Sequence, residues 1–231
     1  MISTTNPSSG WLVNFRTPLF VLLVISFVVL TILVHVGAFS GLDIFVHTFI
    51  GDIKLNETIL YALIVFASFG EIIYLILVSI ILTIIGRTRK TGMILLITIV
   101  IITLITSNLK PIVGHLKPTE TIKLNLLPTG YNLERDSMIP SARNFSYPSN
   151  HVASIIALSF IIGYSLSKRL VLSRYLIWLL SFSVIISQLL LYEGYFSDMV
   201  GGILLGLIIA IFTSNIMHLD LPFSKDRFKR K

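Results

Sequence analysis

The chain has 231 residues, and it contains no cysteine and few charged residues. The absence of cysteine excludes disulfides, thiol catalysis and thiolate metal sites. Charged residues make up 13% of the chain, whereas soluble domains carry about 25%. The chain therefore lacks the surface charge of a soluble protein. We predict a single integral membrane domain over residues 1–231, with no separate soluble domain.

Apolar residues are abundant, at 55% of the chain. They fall into blocks of about twenty, the length needed to cross roughly 30 Å of hydrocarbon. The predicted fold is therefore all-α, a polytopic membrane helical bundle with about six transmembrane helices. We place these helices at 18–39, 62–86, 92–109, 151–167, 171–191 and 199–217. Residues 43–53, "DIFVHTFIGDI", have the pattern of an amphipathic surface helix between the first two spans.

The distribution of Lys and Arg predicts the orientation, because basic residues favour the cytoplasmic side. Twelve of the 18 basic residues fall on the side that holds both termini. The N-terminal segment 1–17 and the basic tail 218–231 are therefore expected in the cytoplasm, and the loop 110–147 outside the cell, at the plasma membrane. The net charge of +7 is spread along membrane edges, so we expect no nucleic-acid partner.

Three polar clusters occur at predicted outer ends of spans. They are "LKPIVGHLKP" at 109–118, "YPSNH" at 147–151 and "SQLLLYEGYFSD" at 187–198. Polar side chains are costly next to lipid, and all three clusters lie on the same predicted face. If the helices form a bundle, we expect the clusters to meet in one site.

The order and spacing of these clusters resemble the type 2 phosphatidic acid phosphatase and haloperoxidase superfamily. Its pattern reads K-x6-R-P, then P-S-G-H, then S-R-x5-H-x3-D. Seven positions are identical here: Lys110, Pro118, Pro148, Ser149, His151, Ser187 and Asp198. Four positions differ: Lys117 replaces Arg, Asn150 replaces Gly, Gln188 replaces Arg, and Gly194 replaces His.

The resemblance implies a role for each matching residue and no metal or cofactor. Basic side chains and the amides at a helix start would hold a phosphate. His151 would protonate the leaving oxygen, and Asp198 would orient the nucleophilic histidine or, equally, cap a helix. The residues implied in phosphate binding are Lys110, Lys117, Ser149, Asn150 and Gln188.

The departures bear on catalysis. Gly194 stands where the nucleophilic histidine is expected, and glycine cannot attack phosphorus. No histidine lies between His151 and His218, and His218 is predicted on the opposite face. His115 is on the correct face and is a candidate replacement, as are Tyr192, Glu193 and Tyr195 around Gly194. Gln188 is neutral, and Arg135 or Arg143 in the outer loop could replace the lost charge.

Two other features have structural or functional interpretations. Gly201 and Gly202 allow close helix packing. Glu71 is either a functional carboxylate within the second span or a side chain that reaches the outer interface.

The sequence therefore favours a lipid-phosphatase fold with a retained pocket for a phosphate or lipid headgroup and with lost or much reduced hydrolysis, a pseudoenzyme. The alternative is an active phosphatase on an outer-leaflet lipid phosphate or polyprenyl diphosphate that uses a relocated nucleophile. The expected partners are such headgroups and membrane lipids, or a membrane protein complex in which the chain is a packing subunit.

Overall fold

The computed structural model describes residues 15–53, 55–118, 142–167 and 171–219. Within these ranges the chain forms eight α-helices and an isolated antiparallel bridge between Leu116 and Phe145. The helices are α1 (Pro18–His35), α2 (Ser40–Gly51), α3 (Glu57–Ser68), α4 (Ile72–Ile84), α5 (Arg89–Val113), α6 (Asn150–Ser167), α7 (Val171–Leu190) and α8 (Phe196–Ile216). This is the all-α membrane bundle that the sequence predicts.

Parts of the predicted segments lie outside the described residues. These parts are 1–14 of the N-terminal segment, 119–141 of the outer loop with Arg135, and 220–231 of the basic tail.

Local sequence signals fix several helix ends. The Asn56 side chain accepts a hydrogen bond from the Ile59 amide at 2.8 Å and so caps the start of α3. Helix α5 ends at Gly114, whose φ of 72° is the left-handed conformation that favours glycine. This turn directs the chain away from α5 immediately before His115.

Helix α6 lies at the centre of the bundle and packs against α5, α7 and α8. Residues 150–161 are all buried. Helix α8 approaches the start of α6 closely. A Cβ atom added at Gly202 would lie only 2.7 Å from the Ser149 carbonyl oxygen. A Cβ on Gly206 would overlap the Ala153 carbonyl, and one on Gly201 would meet the Tyr147 ring. The predicted packing role of Gly201 and Gly202 is confirmed.

The second predicted span, 62–86, is wrong as a single helix. Helices α3 and α4 meet there at a bend of 52°. Glycine is a poor helix former, and the break falls at Gly70 and Glu71, where Glu71 has extended backbone angles. Glu71 is half-buried at the start of α4.

Among the described residues, three helices are long and apolar enough to cross a membrane: α1, α5 and α8. A fourth span exists if the bent pair of α3 and α4 counts as one. The described parts of α6 and α7 contain shorter apolar stretches, at Asn150–Ser165 and Tyr175–Leu190. The number of six spans therefore stays a prediction.

Helix α2 corresponds to the predicted amphipathic segment and packs against α8. Asp43 and Ile50 are buried on its inner face. Its outer face exposes large apolar side chains: Leu42, Ile44, Phe45 and Phe49. A helix with this distribution is typical of the membrane interface.

Candidate active site

The three polar clusters meet at one end of the bundle. The Ser149 amide, before α6, donates a hydrogen bond to the Asp198 carbonyl oxygen in the first turn of α8, at 3.1 Å. Thr106, one turn before Lys110 in α5, donates to the Asn150 side-chain oxygen at 3.2 Å. Residues from the ends of α5, α6 and α8 therefore surround one site.

The segment after α5 is held against the segment before α6. The Ser146 amide donates to the His115 carbonyl at 2.9 Å, and the Lys117 amide donates to the Asn144 carbonyl at 3.1 Å. These backbone bonds, with the bridge between Leu116 and Phe145, fix the position of the His115 side chain.

His115 takes the position beside Asp198 that the resemblance assigns to the missing nucleophile. Its Nδ1 lies 2.9 Å from Asp198 Oδ1 and 3.3 Å from the Ser146 hydroxyl. Its ring centroid lies 5.1 Å from that of Tyr195. The sequence placed His115 on the correct face, but it gave no sign of this contact with Asp198.

Asp43 of α2 is a member of this cluster that the sequence analysis missed. Its Oδ1 accepts from the Ser197 amide at 2.9 Å, and its Oδ2 accepts from the Ser197 hydroxyl at 2.7 Å. The same Oδ2 lies 3.8 Å from His115 Nε2. The only signal in the sequence was a carboxylate among the apolar residues of the amphipathic segment.

The start of α8 is therefore surrounded by two carboxylates. The Asp198 carboxylate also accepts from the Tyr195 amide at 2.6 Å through Oδ2, so it caps the helix as predicted. The first amides of a helix are otherwise unpaired and carry partial positive charge. Asp43 and Asp198 satisfy two of them.

Burial and neighbouring charges shift the pKa of His115 and the pKa of Asp43. Burial lowers the pKa of His115, but the hydrogen bond to Asp198 and the charges of Asp198 and Asp43 raise it, and the net pKa is above its ordinary value. Burial raises the pKa of Asp43 more than the bonds from Ser197 lower it. The environment therefore favours the imidazolium form of His115 and disfavours the Asp43 carboxylate.

Gly194 has little room for a side chain. A Cβ there would lie 3.0 Å from Asp198 Oδ2 and 3.1 Å from Met199 Cε. Gly194 lines a narrow recess between α2 and the turn before α8, which has no room for a water molecule. The residues that line this recess are Asp43, Val46, His47, Ile50, Leu189, Tyr192, Gly194, Tyr195 and Phe196. None of them is Lys or Arg.

The other predicted site residues differ in burial. Lys110 and Gln188 are each 2% exposed, and Lys117 is half-buried. His151 is buried near the bend between α3 and α4, where a Cβ on Gly70 would lie 3.3 Å from His151 Cβ. Arg143 is exposed.

Comparison with known proteins gives a family and a similar fold. A profile of the PAP2 superfamily matches residues 91–221. The structure is similar to the crystal structure of the first transmembrane PAP2 type phosphatidylglycerolphosphate phosphatase from Bacillus subtilis, with a TM-score of 0.70 and 19% sequence identity. The alignment covers 89% of this chain and 98% of that chain. The comparison with curated proteins finds no match.

Proposed function

The chain belongs to the PAP2 superfamily, and from this premise we propose that it binds the phosphate headgroup of a membrane lipid, with hydrolysis that is lost or much reduced. In this proposal Lys110 and Lys117 supply positive charge to the phosphate. Ser149, Asn150 and the amides at the start of α6 supply hydrogen bonds, as helix starts commonly do for anions. Gln188 adds a neutral amide where an arginine would have given a third positive charge.

The observation that supports reduced hydrolysis is the environment of Gly194. This position has no nucleophilic group, and a Cβ there would lie 3.0 Å from Asp198 Oδ2. In subtilisin, loss of the nucleophile lowers turnover by about 10⁶-fold. Asp198, which would orient a histidine at 194, is already bonded to His115 and to the Tyr195 amide.

One observation favours a second candidate, an active phosphatase in which His115 is the nucleophile. Its Nδ1 is anchored on Asp198, and its Nε2 makes no hydrogen bond to any described residue. In the neutral imidazole, with Nδ1–H directed at Asp198, the unprotonated Nε2 would attack phosphorus to form a P–N bond while the bond from phosphorus to the lipid oxygen breaks. His151 would donate a proton to that oxygen, and water would then hydrolyse the phosphohistidine.

We further propose that this site faces outward at the plasma membrane, with both termini in the cytoplasm, because basic residues are concentrated on the terminal side. The substrate or ligand would then be a lipid phosphate or polyprenyl diphosphate of the outer leaflet. The chain has no native cysteine. A single cysteine at exposed Ile112 or at Arg87 can therefore be tested for labelling by an impermeant maleimide, which we expect at 112 only.

The test of activity is phosphate release by purified full-length protein from phosphatidic acid, phosphatidylglycerophosphate and a polyprenyl diphosphate. The wild type, His115→Ala and the control His218→Ala are compared. No release by the wild type, together with measurable binding of phosphatidic acid, supports the first candidate. Release that His115→Ala abolishes and His218→Ala preserves establishes the second. Absence of both binding and release contradicts both.

A further inference from the structure

We propose that Asp43 occupies an anion position at the start of α8, beside His115, so that α2 is an autoinhibitory cover that a phosphate must displace to reach His115. This inference rests on the proposed phosphate pocket. It adds a residue from outside the family pattern and a conformational step before binding.

The first argument is the manner in which Asp43 is bound. Its two oxygens accept from the Ser197 amide and hydroxyl, at 2.9 and 2.7 Å. An amide in the first turn of a helix, with an adjacent hydroxyl, is a typical set of donors for a phosphate or carboxylate. Here these donors are taken by a carboxylate from the same chain, 154 residues away.

The second argument is where Asp43 lies relative to His115. Asp43 Oδ2 is 3.8 Å from Nε2, the nitrogen of His115 that is not bonded to Asp198. An oxygen of a phosphate in contact with Nε2 would fall in the same space. A phosphate there would also be repelled by Asp43 whenever its carboxyl group is ionised, since neighbouring like charges disfavour one another. Phosphate and the Asp43 carboxylate therefore exclude each other.

The third argument is the construction of α2. Asp43, His47 and Ile50 are spaced along the face that covers the recess beside Gly194. The opposite face carries Phe45 and Phe49, which are 66% and 65% exposed. Large exposed apolar side chains on an amphipathic helix are typical of the membrane interface, so we assign lipid as the partner of this face. Helix α2 therefore connects the lipid surface to the anion site through a single carboxylate.

The test measures the Kd of inorganic phosphate by titration calorimetry with full-length protein in nanodiscs of uncharged lipid. Asp43→Asn keeps the size of the side chain and an oxygen for the Ser197 amide, but it removes the charge. We expect phosphate to bind about tenfold more tightly than to the wild type. Asp52→Asn is the matched control, because Asp52 is exposed just after α2 and carries the same charge. It should leave Kd within about twofold.

The possible results distinguish failure of the proposed cover from failure of the proposed phosphate pocket. Unchanged or weaker binding by Asp43→Asn, when the wild type binds phosphate, overturns the cover but leaves the pocket. If neither protein binds phosphate, the pocket and the cover both fail. If Asp43→Asn binds phosphate more tightly and the addition of Lys110→Gln to that protein weakens the binding, the phosphate is bound in the proposed pocket.

A distance measurement decides the question even if Asp43→Asn does not fold. The chain has no cysteine, so spin labels can be placed at Thr48→Cys on α2 and Ile112→Cys at the end of α5, both exposed. Saturating phosphate should lengthen the distance between labels in an otherwise unaltered chain. An unchanged distance at saturation overturns the inference.

Discussion

Two parts of the site, which we call the scaffold and the rim, differ in how closely their residues match the family pattern. The scaffold comprises the last turn of α5, the start of α6 and the first turns of α8. There Lys110, Ser149, His151 and Asp198 match the pattern, and the backbones are in close contact. The rim comprises α2, the segment 114–118 and the turn 191–195. It contains Gly194 instead of a histidine, and it supplies His115 and Asp43 from elsewhere in the chain.

The difference shows which parts of such a site can be exchanged. In the scaffold, a side chain added at Gly202 would meet the Ser149 carbonyl at once, although Asn150 replaces a glycine of the pattern there. At the rim, the Asp198 carboxylate needs a donor, but that donor can come from any segment that reaches it. His115 meets this requirement at 2.9 Å. In this chain His115 is therefore the histidine in contact with Asp198.

The largest expected effect comes from disturbing the scaffold. Gly206→Val should prevent folding or destabilise the protein by about 3 kcal/mol, because its Cβ would overlap the Ala153 carbonyl on α6. Thermal unfolding in detergent measures this. Gly163→Ala is the control, since its Cβ would meet only Trp178 Nε1 at 3.6 Å, an ordinary contact. Equal stability of the two variants would contradict the described packing of α6 on α8.

Substitution of the two lysines should show whether the ligand binds mainly at the scaffold, which contains Lys110, or at the rim, which contains Lys117. Lys110→Gln removes a buried charge and should weaken phosphatidic acid binding by about 10- to 100-fold, the usual worth of a hydrogen bond to a charged group. Lys117→Gln removes a half-exposed charge and should cost about two- to threefold, because solvent screens it. Vesicle co-sedimentation measures both. The reverse order would mean that the phosphate lies at the rim.

Competition for Asp198 predicts that two rim substitutions are not additive. Gly194→His alone should give little phosphate release, because His115 already occupies the carboxylate. Combining it with His115→Ala should raise release about tenfold above the single variant, since neighbouring groups couple at this scale. The phosphatidic acid assay measures this, with Gln188→Arg present in both proteins. If His115→Ala lowers release from the Gly194→His protein, His115 itself takes part in the reaction.

The smallest expected effect is on stability as a function of pH. The raised pKa of His115 means that its contribution is fully present below about pH 6.5, the ordinary histidine value, and is lost as pH rises through the folded-state pKa. The raised pKa of Asp43 has the same sign, but its contribution is lost as pH rises from the ordinary aspartate value of about 3.9 through the folded-state pKa, so the comparison of pH 6 with pH 9 rests on His115. We expect a thermal midpoint a few degrees higher near pH 6 than near pH 9. His115→Gln should reduce this difference, whereas His218→Gln should not.

The sequence was most informative where residues act through local spacing. Blocks of apolar residues predicted the helices, and the three clusters predicted which helix ends meet, because a bundle brings those ends together. Gly201 and Gly202 indicated a close contact of α8 with a neighbour. Each of these inferences needs only the period of a helix and the length of a span.

The contacts that were missed join residues far apart in sequence. The bond between Asp43 and Ser197 spans 154 residues, and the pair of His115 and Asp198 spans 83. No local pattern encodes such a pair, since it depends on how α2 and the segment after Gly114 fold back over α8. The break at Gly70 was missed for a related reason, because a lone glycine in an apolar run fits both a straight and a bent span.

The burial of α6 limits how solutes travel. Its side chains from 150 to 161 are enclosed on every side by protein, so neither water nor lipid can approach the helix laterally. The polar start of α6, at Ser149 and Asn150, is therefore the part of this helix from which a headgroup would be recognised.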